Sequence, residues 1–340
     1  MIKKEFYEIF DGKEIYKFTL GEKIKVEILN YGCYKYSLKV PDRNGELVDV
    51  CFGYDGVKNI FPEGDYLGGV AGRCCNRIKK GEFTLNGVNY KLNCNNGENH
   101  LHGGNIGINQ RVWDYEIKGD SLYLSYFSPD GEENYPGNLN ITVKYTVVDT
   151  SLIVEFFGKT DKDTLYNPTD HLCFNLNGEG DSTILDHYLK INADYFTPID
   201  DTLITTGEIK EVKGTPFDFR EYKQIGKDLS ACDKQLKNAG GYDHNFCVNG
   251  KGFREFASVY SEKTGIKMQG FTDRCGVHFY GGNFINNQKG KHLYTYRSGF
   301  CLETQVYPDA INKPNWQTPI LRAGEDFYSK TEFKFTVKND

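Results

Sequence analysis

Apolar and polar residues alternate with a period of two along most of the chain, and long stretches of helical periodicity are absent. A period of two sends successive side chains to opposite faces of a strand, so the pattern predicts β-structure. Near the N-terminus it predicts strands over Glu14–Leu20, Lys23–Leu29, Cys33–Val40 and Leu47–Phe52, parted by turn signals at Gly21-Glu22, Tyr31-Gly32 and Asn44-Gly45. Glu82–Leu85 and Val88–Leu92 flank Asn86-Gly87. Asn-Gly supplies the positive φ values of a type I′ turn, so a hairpin is expected there. Val112–Ile117, Ser121–Ser128, Leu139–Val148 and Ser151–Lys159 read as an antiparallel meander. Later strands fall at Asn245–Val248, Glu255–Ser261, Ile266–Phe271, Gly276–Tyr280 and Glu332–Val337, and a short helix is expected over Ile225–Leu236.

Two of the strand patterns carry a titratable group on their polar side. From Phe300 onward, Phe300, Leu302, Thr304 and Val306 point one way and Cys301, Glu303, Gln305 and Tyr307 the other, until Pro308 stops the ladder. A carboxylate against a packed core is costly, so Glu303 must face solvent or a polar cavity. The run after Asn167-Pro168 repeats the arrangement, with His171, Cys173 and Asn175 opposite Leu172, Phe174 and Leu176. One Glu on a strand is ordinarily solvated surface, and one His is ordinarily structural. Two such strands together suggest a shared cavity.

Composition narrows the partner. The 340 residues include 37 glycines, 24 tyrosines and 23 phenylalanines, which suits many strands and turns. The net charge of −6 and the lack of a basic stripe argue against nucleic acid. Abundant aromatics and amides instead suit a neutral polar ligand such as a sugar. No apolar segment follows the N-terminal lysines, so neither a signal peptide nor a membrane span is expected. The ten cysteines lack CxxC spacing, and Cys74-Cys75 are adjacent, so reduced thiols and a cytoplasmic location are the expectation.

The glycine-dense stretch Gly64–Arg77 lacks the Gly-Lys-Ser/Thr ending of a phosphate loop. Arg77 at its end offers a fixed fork of donors, although surface ion pairing is the commoner use of a lone Arg. His100 and His102 would share one face of a strand, as metal ligands often do. No further ligand stands at a suitable spacing, so hydrogen bonding by His102 is preferred and neither metal nor cofactor is expected. Asp243, after Gly241, could cap a turn. His278 and Tyr280 face away from Val277 and Phe279.

Five blocks in order resemble the aldose 1-epimerase (galactose mutarotase) family. They are Asn76-Arg77-Ile78 with Gly81 and Phe83, Asn99-His-Leu-His102-Gly-Gly, Asn167–Leu176, Gly241-Tyr-Asp243-His-Asn, and Leu302-Glu303-Thr-Gln305 with Pro308-Asp309-Ala and Asn312. The resemblance spans nearly the whole chain. It implies a single all-β domain over residues 1–340, a β-supersandwich of mostly antiparallel strands with a sugar cleft on one face. It implies cofactor-free interconversion of the α and β anomers of aldohexoses such as galactose and glucose. By motif match Glu303 is the base and His171 the acid, while Asn76, Arg77, His102, Asp243 and His278 hold the sugar. A monomer or weak homodimer is expected. His278 stands where the family often has Gln, and Cys173 where Tyr is common; both border the expected sugar site and bear on substrate preference. The competing readings are a glycosidase using Asp243 and Glu303, a sugar-binding module without chemistry, and an epimerase for another sugar such as maltose.

Overall fold

The alternating segments form antiparallel sheets in the computed structural model, which describes residues 1–60 and 66–338. Gly64 and Asp65 of the glycine-dense stretch lie outside the described residues. A five-stranded N-terminal meander runs from Lys3–Phe10 through Lys13–Leu20, Lys25–Leu29 and Lys35–Pro41 to Leu47–Asp49. The predicted central meander forms one end of a nine-stranded sheet. In it Ser151–Thr160 pairs with the long terminal strand Asp326–Val337, which in turn pairs with Ile266–Thr272. The Asn86-Gly87 hairpin forms between Glu82–Leu85 and Val88–Lys91.

A six-stranded sheet positions the chemistry. Its middle strands are Phe300–Gln305, Gly276–Tyr280 and Asp243–Cys247, paired antiparallel in that order. One face of this sheet sends Phe300, Leu302, Val277, Phe279 and Phe246 into a core that also takes Leu152, Val154, Phe256, Val259, Met268, Phe333 and Phe335 from the nine-stranded sheet. Truncating a buried phenylalanine in such a core costs about 3–5 kcal/mol, so the apolar face fixes the register firmly. Because the side-chain period is two, fixing that face also fixes the other. The register sets His278 opposite Glu303 and Asp243 opposite Tyr280.

The structure departs from the sequence expectation in several places. The helix spans Lys234–Ala239, with Asp233 as its N-cap and Gly240 in the left-handed conformation at its end, so most of Ile225–Leu236 is irregular. Asp233 accepts from the Gln235 and Leu236 N–H groups, and a cap at that point excludes the preceding residues from the helix. The strand Lys3–Phe10 was not expected, and the terminal strand begins six residues before the alternation becomes clear. The strand through His171 is also broken. Thr169–Asp170 pairs with Val70–Ala71, Cys173–Phe174 pairs with Phe300–Cys301, and His171 sits at the crossover between the two partners.

Candidate active site

All seven residues singled out in the sequence line one cleft of about 560 Å³ beside the six-stranded sheet. Glu303 and His171 lie on its floor, both buried, with Glu303 Oε1 3.4 Å from His171 Nε2. Glu303 Oε2 and His171 Nδ1 are buried without a hydrogen-bond partner. The His171 backbone meets the glycine-dense stretch, its N–H donating to the Gly69 carbonyl at 2.8 Å and its carbonyl accepting from the Gly68 N–H at 2.7 Å.

His278 arrives from the strand beside Glu303 and places Nε2 2.6 Å from Asp243 Oδ1. The other Asp243 oxygen lies 3.8 Å from the Arg77 guanidinium. Burial alone would raise the Asp243 carboxyl, but the charge and hydrogen bond of His278, with Arg77, hold it down to about 2. Arg77 Nε donates to Asn96 Oδ1 at 3.0 Å, which fixes the plane of the fork.

Asn76 and His102 both have positive φ, at 57° and 49°. Asn tolerates that region better than most residues. The paired backbone turns bring their side chains to the cleft, where the Asn76 N–H donates to His102 Nδ1 at 3.2 Å. That bond leaves the His102 proton on Nε2. Gly103 must be glycine, since a Cβ there would lie 1.7 Å from the Gly72 carbonyl oxygen. Burial first, then the nearby His171 and Arg77 charges, push His102 well below the ordinary imidazole value. His102 is therefore a neutral N–H donor near pH 7.

The expected sharing of a face by His100 and His102 does not hold, because the positive φ at His102 turns it away. His100 points to the Asn93 carbonyl at 2.7 Å and the Tyr135 hydroxyl at 2.6 Å, and burial lowers it to about 4. Among the described residues, His102, His171 and Glu303 form the one group whose donor atoms converge, all within 4.8 Å of one another. Cys173 does not border the cleft. It is fully buried opposite Cys301, two residues before Glu303 on the neighbouring strand, in a cluster with Phe52 and Tyr294.

Several lining residues were not read from the sequence. Tyr66 packs its ring 4.6 Å from His102, and Tyr54 and Phe284 add apolar surface to the lining. Asn96, two residues past Cys94, carries no pattern of its own. The Gly281-Gly282 pair before Phe284 was the one available sign of a loop at the cleft.

Residues 14–334 match the family model described as Aldose 1-epimerase. The chain is 42% identical over 326 residues to a galactose mutarotase of Bos taurus, covering 94% of each chain. It is 36% identical over 345 residues to an aldose 1-epimerase of Haemophilus influenzae, covering 98% of this chain and all of that protein. A crystal structure of galactose 1-epimerase from Lactobacillus acidophilus superposes with a TM-score of 0.89 at 29% identity, over 100% of this chain and 99% of the other.

Proposed function

The chain belongs to the aldose 1-epimerase family and is an isomerase that interconverts sugar anomers, and from that premise we propose that Glu303 and His171 perform the two proton transfers. The carrying observation is their 3.4 Å separation on a buried cleft floor, each with an unpartnered atom. Opening a cyclic hemiacetal needs a base at the C1 hydroxyl and an acid at the ring oxygen. Those two oxygens share one carbon, so only an acid and a base side by side can serve both at once. Glu303 takes the C1 hydroxyl proton as His171 protonates the ring oxygen, and the C1–ring oxygen bond breaks to give the aldehyde. Rotation about C1–C2 and reversal of both transfers close the ring on the other face. No atom is gained or lost, which is why two proton carriers suffice.

In the same reading Asn76, Arg77, His102 and His278 surround the hydroxyls, with Asp243 held as an anion between His278 and Arg77. The aldohexoses galactose and glucose are the proposed substrates. The reading treats residues 1–340 as one catalytic unit, supported by a core that takes residues from both large sheets. A cytoplasmic location is proposed on the ten free cysteines. Among the described residues, no helix is long and apolar enough to cross a membrane.

The test is polarimetry on freshly dissolved α-galactose, α-glucose, xylose and maltose side by side. Accelerated approach to the anomeric equilibrium is expected with galactose and glucose. Binding without acceleration would leave only a sugar-binding module, and release of reducing sugar from a glycoside would mean a hydrolase. Turnover is also expected to survive exhaustive EDTA and dialysis. Loss on chelation with recovery on one divalent ion would make His102, His171 and Glu303 a metal centre.

His278→Gln tests the hold on Asp243. The wild-type charge of Asp243, and the stability it contributes, should be fully present above the ordinary value of about 3.9 and lost only as pH falls through about 2. Without His278 the carboxyl rises, so KM for galactose should climb as pH is lowered while the wild-type KM stays flat. A variant with a flat KM profile would show that His278 does not govern Asp243.

A further inference from the structure

Lys35 is a lysine whose side chain has no exposed surface, and it does not line the cleft. Its ammonium pairs with Asp170, donates to the Cys33 carbonyl at 2.9 Å and donates to the Tyr145 hydroxyl at 3.3 Å, which uses all three of its protons. Asp170 is buried as well and accepts from the Tyr145 hydroxyl at 3.2 Å. Stability gives no reason for such a pair, since well-packed apolar residues of similar volume are usually at least as stable as a buried ion pair.

The backbone around the pair supplies a reason. The Lys35 N–H donates to the Gly68 carbonyl at 2.9 Å, and the Gly68 N–H donates to the His171 carbonyl at 2.7 Å. His171 is bonded covalently to Asp170, and Asp170 returns to the Lys35 ammonium. The circuit closes on Lys35, which grips His171 from both sides: through Gly68 by its main chain and through Asp170 by its side chain. His171 lies at a break between two short strands, where no long ladder fixes its backbone. We propose that Lys35 and Asp170 are positioning residues, an ion-paired clamp from the N-terminal sheet that holds the His171 imidazole against Glu303. The inference rests on the reading of His171 as the acid.

A misplacement of about 1 Å at a reacting group can cost a hundredfold in rate. The test is Lys35→Met with Asp170→Asn in one protein, which removes both charges together and leaves no buried ion unpaired. At a temperature well below its melting point this variant should lose about tenfold or more in kcat with KM changed less than about twofold. A purely structural role would lower the melting temperature and leave kcat of the folded enzyme alone. A folded double variant with wild-type kcat overturns the proposal. If the double variant does not fold, Lys35→Gln with Asp170→Asn decides. It also removes both charges but keeps polar groups near the Cys33 carbonyl and the Tyr145 hydroxyl, and a fall in kcat at constant KM supports the clamp, while an unchanged kcat overturns it. His171→Asn on the native background separates this inference from its premise. If that variant keeps its rate, the reading of His171 fails first; if it loses turnover while the double variant keeps it, only the clamp fails.

Discussion

Glu303→Gln is expected to lose about 10²–10⁴-fold in turnover while binding sugar almost normally, because it removes a proton acceptor and little else. The amide has the shape of the carboxylate and still accepts a hydrogen bond, so the strand Phe300–Gln305 and its pairing with Gly276–Tyr280 have no cause to move. The hydroxyl-facing groups proposed here, Asn76, Arg77, His102 and His278, are untouched. A variant that lowers kcat and kcat/KM together, with KM held within about twofold, has lost an interaction made in the transition state and not in the ground state. Folding should not suffer either. Glu303 is buried with one oxygen unpartnered, and a neutral amide is cheaper to bury than a charge. Stopped-flow polarimetry with a binding titration on the same preparation reads both quantities. A Gln variant at wild-type rate would remove Glu303 from the mechanism.

How far the sequence led follows from which signals are local. The strand Phe300–Gln305 declared its two faces through alternation alone, and its core face is where Phe300 and Leu302 lie. His278 was legible for the same reason, and the register then set it opposite Glu303. What alternation cannot carry is a residue placed by an irregular backbone. His102 reaches the cleft through a left-handed conformation, and His171 through a crossover between two partners, so a period of two misread the neighbours of both. It put His100 beside His102, although His100 is tied to Tyr135, and Cys173 beside His171, although Cys173 is core. Alternation marked His171 only as a polar-side group; its role as the acid, and that of His102 toward the sugar, came from the resemblance to a family. Lys35 shows the opposite limit. A lysine in an alternating strand reads as surface, and only the fold reveals that Asp170, far along the chain, lies next to it.

His171→Asn should cut turnover about a hundredfold or more. Two imidazoles meet edge to face in the cleft, with ring centroids 5.0 Å apart, so the acid must be assigned between them. His102 is held neutral by burial and by the charges of His171 and Arg77, and it takes up a second proton only far below pH 7. Asp243, held at about 2, stays ionised across the whole working range. Neither group therefore changes its charge between about pH 5 and 9. His102 can donate a hydrogen bond there but is not a protonated imidazole, so the proposed reading leaves the donor role at the ring oxygen to His171, 3.4 Å from Glu303. Asparagine keeps polarity and approximate size but cannot pass a proton to the ring oxygen, so turnover should fall across that whole range with sugar binding retained. The measurement is kcat for galactose from pH 5 to 9 in wild type and variant. If the variant keeps its rate, the proton comes from another group, and the field of Arg77 and burial that hold His102 neutral must relax when sugar binds.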